Sequence, residues 1–154
     1  MSRADIASLV VPASPTAAYA ALVDPDALVA WLPPTGMTAT LRDFDGRVGG
    51  GYRMTLTYRE EDGAGKTTAD SDEVAVHFTV LVPGVRVVEE VDFTSEDPAF
   101  AGTMTMTWTL DPVEGGTEVV VRAENVPPGI DPADHQTGLS ESLAGLAAYL
   151  AAIS

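Results

Sequence analysis

Gly138-Leu-Ser-Glu-Ser-Leu-Ala-Gly-Leu-Ala-Ala-Tyr-Leu-Ala-Ala-Ile153 is a stretch of helical spacing at the end of a chain that otherwise alternates. Leu139, Leu143, Leu146, Leu150 and Ile153 recur at intervals of three and four, which places them on one stripe of a helix. Immediately upstream, Pro127-Pro128-Gly129 and Asp131-Pro132 break the preceding pattern. One long amphipathic helix therefore closes a chain whose other apolar residues from Met37 onward mostly follow period two.

That period is clearest over Phe100 to Leu110, where Met104, Met106, Trp108 and Leu110 alternate with Thr103, Thr105, Thr107 and Thr109. Equivalent runs are Ile6 to Val11, a strand from Met37, Tyr52 to Tyr58, and two runs, Val74 to Val82 and Val85 to Phe93, joined at Pro83-Gly84. Thr117 to Glu124 follows the Glu114-Gly115-Gly116 turn. Residues Glu60 to Ser71 read as a solvent loop. Between the first two strands, Ser14-Pro15 and Asp24-Pro25 each pair an N-cap with proline at the first helical position, predicting two short helices, the second ending at Trp31 before Pro33-Pro34. A meander of six to seven strands cannot bury its apolar face alone, and the C-terminal helix is its natural cover. The expected fold class is α+β: a curved antiparallel sheet wrapped around a long C-terminal helix, with two short helices after the first strand. A length of 154 residues, 45% hydrophobic and 20% charged, suits one domain over residues 1–154.

The composition bears on function chiefly by exclusion. Twenty-three acids against eight bases, with Lys66 the one lysine, give a formal charge of −15, which opposes binding to nucleic acid or anionic lipid. No cysteine is present, so disulfides and thiolate chemistry are ruled out. Two histidines far apart in sequence offer no zinc spacing, and no phosphate loop, dinucleotide fingerprint or nucleophile elbow occurs. No cofactor and no metal are expected. The N-terminus lacks the pattern of a secretory signal, no apolar run reaches spanning length, and the last helix has no basic face for headgroups, so a cytoplasmic protein without membrane insertion is expected.

The ordered set Asp24-Pro25-Asp-Ala-Leu28 with Trp31-Leu32-Pro33, Phe44-Asp45-Gly46-Arg47-Val-Gly49-Gly50, Pro83-Gly-Val-Arg86, Gly102-Thr-Met-Thr-Met-Thr-Trp108, Gly115-Gly-Thr117, and His135 with the terminal helix resembles the SRPBCC superfamily. This is the START-related, birch-pollen-allergen-like group, and the closest branch is named for the activator of heat-shock protein 90 ATPase. The resemblance spans nearly the whole chain and implies the helix-grip fold, in many relatives with a pocket for an apolar small molecule between sheet and helix. It does not imply one activity, since carriers, receptors, polyketide cyclases and co-chaperone domains share the fold. The eukaryotic activator has a separate N-terminal domain that contacts the chaperone, for which this chain leaves no room, so a chaperone partner rests on the family name alone.

Strand parity supplies candidate site residues. If Met104, Met106 and Trp108 face the concave side, so do Tyr52, Met54, Leu56 and Tyr58, Val76, Phe78 and Val80, Val87, Val91 and Phe93, and Val119 and Val121. This inventory fits an adaptable apolar pocket and fits a filled core equally well. Trp31 either plugs the end of the core or meets a ligand, the glycines at 49 to 51 permit a sharp strand bend, and Glu89 shares inward parity, where a carboxyl needs a partner or a proton. Glu90 points the other way, so no carboxylate pair forms. His77 is expected on the outer face, and His135 as a cap or in solvent.

The expected function is binding of a small, largely apolar ligand, lipid-like or aromatic, by Trp31, Tyr52, Met54, Phe78, Met106, Trp108, Leu139 and Leu143, with Tyr52 or Glu89 orienting it. Two alternatives stand beside it: a cyclase- or hydrolase-like enzyme using Glu89 as acid or base, and a protein-interaction module of the co-chaperone type. No residue decides between a monomer and a homodimer.

Overall fold

Strand-forming residues and the two proline-led start signals produce the expected order of elements. The computed structural model describes residues 4–33, 37–58, 71–93 and 102–153. Pro34, most of the loop read over 60–71, the Phe100 start of its strand, and the side chains of Met37, Tyr58 and Phe93 lie outside the described residues. The strands are β1 (Ala4–Val11), β2 (Met37–Asp45), β3 (Gly51–Tyr58), β4 (Ser71–Val82), β5 (Arg86–Phe93), β6 (Gly102–Val113) and β7 (Gly116–Glu124). Helices α1 (Pro15–Leu22) and α2 (Pro25–Trp31) follow β1, and α3 (Pro132–Ile153) ends the chain.

The seven strands form one antiparallel, open sheet in the order β1-β7-β6-β5-β4-β3-β2. Each strand from β2 to β7 lies beside its sequence neighbour, as hairpin connections dictate, and β1 joins the far edge against β7. Buried Val11, Met54, Val76, Phe78, Val87, Val91, Met104, Trp108, Val119 and Val121 share a core with Leu139, Leu143, Leu146 and Leu150 of α3. The leucine stripe of the last helix is therefore the cover of the sheet's apolar face, while Ile153 at its end is exposed.

The short helices are held as their sequences dictate. Ser14 Oγ accepts from the Ala17 amide at 3.1 Å, and Asp24 Oδ1 from the Asp26 amide at 2.9 Å. Two readings need correction. The last helix begins at Pro132, before Gly138, because Asp131-Pro132 is a third start signal: Asp131 Oδ2 accepts from the Asp134 amide at 3.1 Å. His135 consequently lies in the first turn, neither capping nor in solvent, with Nδ1 2.7 Å from Asp5 Oδ2 of β1, while Gln136 Nε2 donates to the Ile6 carbonyl at 2.9 Å. The start of α3 is thus fastened to the edge strand.

The second correction concerns Val80. The β4–β5 register shifts between Phe78 and Val80, so Phe78 opposes Glu89 but Val80 opposes Val88, and Leu81 opposes buried Val87. The bulge at Thr79 reverses parity, so that Leu81 packs on the core in the place expected of Val80. His77, ahead of the bulge, is on the outer face, 3.6 Å from Asp92.

Candidate functional site

An assembly of aromatic and titratable groups lies where α1 and α2 meet the inner face of β3, β5 and β6. Asp24-Pro25 starts α2 directly after α1, and this sharp re-entry sends Trp31 back beneath α1. Its indole Nε1 donates to the Ala21 carbonyl at 2.9 Å, and only 1% of the residue is exposed. From the other side Gly145 of α3 approaches so closely that a Cβ there would sit 2.5 Å from the Trp31 carbonyl oxygen. Next to Gly145 in the helix, Ser142 Oγ donates to the Leu32 carbonyl at 3.0 Å. Trp31 is thereby fixed edge-to-face against Trp108, with ring centroids 5.6 Å apart and planes at 83°.

Glu89 is directed into this corner by strand parity, paired across the sheet with Phe78 and Met106. It is 8% exposed, and its Oε1 accepts from Trp108 Nε1 at 3.2 Å. Burial drives its pKa from 4.5 up to about 7, against a smaller opposing effect of the indole hydrogen bond, which favours the carboxylate. Burial also raises the Tyr52 hydroxyl well above its ordinary value, and the neighbouring Glu89 charge adds to it. Leu22, Leu28, Trp31, Leu32, Tyr52, Val87, Glu89 and Trp108 enclose a cavity of about 10 Å³, close to the room one water occupies. Leu32 is the one half-buried member of this lining, so solvent approaches over it.

Of the residues named from sequence, the structure brings Trp31, Tyr52, Glu89 and Trp108 together around this cavity. Phe78 and Met54 are buried in the core, Phe78 packed against Tyr52 at a centroid distance of 5.9 Å. Leu139 and Leu143 are core residues of α3, and Met106 is half-buried against the same core. None of these five is in the lining. Leu22, Leu28 and Leu32 were missed, although the proline-led helices carried a signal, since two short apolar helices beside Trp31 have to put some of their leucines against it.

A second, shallower hollow of about 270 Å³ opens on the sheet's opposite face, among Asp43, Asp45, Gly49 to Gly51, Arg53 and His77. Its charges are already matched in part: Arg47 donates to both Asp45 oxygens at 2.8 and 2.9 Å and holds that carboxyl below its usual range. The Gly49 to Gly51 turn lies here, and a Cβ on Gly51 would sit 1.8 Å from the Val76 carbonyl oxygen, so the turn is pressed against β4. Among the described residues, no group of three or more His, Asp or Glu could hold a metal ion, and no helix is long and apolar enough to cross a membrane.

This architecture recurs in solved structures. A crystal structure from Chromobacterium violaceum is 32% identical, with a TM-score of 0.81 over 94% of this chain and 95% of that one. A protein from Rhodobacter sphaeroides, 23% identical, superposes with a TM-score of 0.78 over 99% of this chain and 100% of that one. An AHSA1-like protein from Aeromonas hydrophila, 19% identical, gives 0.76 over 98% and 94%. The latter two similarities bear on the fold alone. No protein of curated function matches. The family model described as activator of Hsp90 ATPase homolog 1-like protein matches residues 12–151, nearly the whole chain. With its seven-stranded sheet, its two short helices and its long covering helix, the chain belongs to the family of activator of Hsp90 ATPase homolog 1-like proteins, within the SRPBCC helix-grip superfamily.

Proposed function

We propose that the protein binds a small, largely apolar molecule in the corner between α1, α2 and the inner face of the sheet, with Glu89 as its polar anchor. The observation that carries this reading is the position of Glu89: a carboxyl taken out of water, bonded through one oxygen to Trp108 and bordering a cavity walled by leucines and aromatic rings. Burying such a group costs stability, and an apolar side chain would fill the place at less cost. A cavity of about 10 Å³ accepts only a ligand's polar tip as it stands, so the ligand's body enters by displacing Leu32 and the end of α2.

A second reading is favoured by the same carboxyl. An acid with a pKa of about 7 beside Tyr52 is suited to exchange protons with a bound substrate, as in a cyclase- or hydrolase-like enzyme. Denaturing extraction of natively purified protein, followed by mass spectrometry and by titration of tryptophan fluorescence with an apolar dye, tests the binding reading. A stoichiometric small molecule, or a saturable response abolished by Val87→Phe, is expected. No extractable molecule and no saturable response would defeat it. If the protein then captured an Hsp90-type chaperone, the interaction role suggested by the family's name would take its place.

A further inference from the structure

The geometry points to a protonated organic amine as the ligand class of the Glu89 cavity: the ammonium group against the Glu89 carboxylate and the rings of Trp31, Tyr52 and Trp108, the apolar body toward Leu32. This rests on the binding role proposed above and specifies its chemistry.

Three independent features converge. First, Glu89 has binding capacity to spare. Its Oε1 accepts from Trp108, and Oε2 makes no hydrogen bond among the described residues. Because no fully buried side-chain oxygen or nitrogen among those residues lacks a partner, Oε2 retains access to open space, and the cavity is where Glu89 meets it. The available group is an acceptor, and the ligand atom that meets it is a donor.

Second, among the described residues no basic group lines the cavity to compete for that carboxylate. Tyr52 of β3 is the one other titratable group among the described lining residues. Leu22 of α1, Leu28 and Trp31 of α2, Leu32 at the C-cap of that helix, Val87 of β5, Trp108 of β6, and the cross-strand neighbours Phe78 and Met106 supply no charge. Three aromatic rings around one carboxylate make the environment in which an ammonium is held by ring quadrupoles as well as by its counter-charge. The cavity's size matches a –NH3⁺ head, which occupies about the volume of a water molecule.

Third, the field of the whole molecule selects the same sign. A formal charge of −15 raises the concentration of cations near the surface and repels carboxylates, so fatty acids and aromatic acids approach unfavourably.

An ammonium binds the ionised form of Glu89, and the carboxyl's proton leaves to solvent when the cation enters. Since burial sets that carboxyl near neutrality, binding weakens as pH falls below about 7 and levels off above it.

The test uses the intact chain and three probes of one shape: benzylammonium, benzyl alcohol and benzoate, titrated by tryptophan fluorescence and by calorimetry. At about pH 8, benzylammonium is expected to bind more than about tenfold tighter than benzyl alcohol, and benzoate not to bind. Between about pH 8 and pH 5.5 the benzylammonium affinity should fall about thirtyfold while that of benzyl alcohol stays level. Glu89→Gln should erase the preference for the cation. Benzyl alcohol binding as tightly as benzylammonium, or a cation preference independent of pH, would overturn the amine assignment and leave the apolar binding site standing. Failure of all three probes to bind would overturn both.

Discussion

Replacing Glu89 by glutamine keeps the side chain's shape and its capacity to accept from Trp108, and removes one proton site whose affinity changes on folding. In the unfolded chain that carboxyl titrates near the ordinary glutamate value of 4.5, and in the folded protein burial moves it to about 7. The folded state therefore holds more protons than the unfolded state between those values, and stability falls as pH rises through the window. It is greatest, as far as this group is concerned, below about pH 4.5, and its loss is complete above about pH 7. Each pH unit across which the two states differ by one proton is worth about 1.4 kcal/mol, so the window amounts to about 3 kcal/mol. Urea unfolding followed by tryptophan fluorescence, at steps from about pH 4 to pH 8 for the native chain and for Glu89→Gln, isolates this contribution, because every other carboxylate is common to both proteins. The difference in unfolding free energy should be flat at the acid end, move by about 3 kcal/mol in favour of the glutamine variant on the way to neutrality, and be flat again. A difference that does not change with pH would show that Glu89 titrates alike in both states, and the burial argument built on it would fall.

Other substitutions probe the surroundings of the same corner. Gly145→Ala places a Cβ 2.5 Å from the Trp31 carbonyl oxygen and should destabilise by about 1–3 kcal/mol. Gly138→Ala, on the same helix with nothing within 4 Å, should stabilise by up to about 1 kcal/mol, and thermal melts of the two variants compare them directly. His135→Ala removes one hydrogen-bond partner of the largely buried Asp5 and should cost about 1–2 kcal/mol in chemical unfolding, whereas the same change at exposed His77 should cost less than about 0.5 kcal/mol. Leu143→Ala, beneath the sheet, should lower stability by about 2–5 kcal/mol and shift the melting temperature accordingly.

Much of the site's framework was legible because it rests on local chemistry. Period-two alternation points Tyr52, Glu89 and Trp108 to one side, and proline after an N-cap residue starts α1 and α2 and so brings Trp31 to the corner. The same local rule, applied to Asp131-Pro132, would also have found the true start of α3 and with it a helical His135. What stayed out of reach was non-local. The one-residue bulge at Thr79 leaves no composition signal yet exchanges Val80 for Leu81 at the core. The pairing of His135 with Asp5 joins residues 130 positions apart, and which apolar side chains border space and which fill it depends on packed volumes that alternation does not encode. Met54, Phe78 and Met106 share the parity of Trp108 and nevertheless lie outside the cavity wall.

The pairing of β1 with β7, with α3 fastened to the same strand, has a consequence for the order in which the molecule is made. Strands β2 to β7 are free to pair with their sequence neighbours as soon as each is made, but β1, made before them, has no partner until Glu118 and its neighbours in β7 exist. The Thr117 hydroxyl bonds the Ala13 carbonyl at 2.7 Å, and His135 meets Asp5 after that, so the sheet's seam and its covering helix are the last parts to close. The loop-closure entropy of that seam falls on the final step. Until the last turns of α3 are released, the Trp31 corner lacks the helix that presses against it, and the nascent chain has a nearly complete sheet with its apolar face still uncovered.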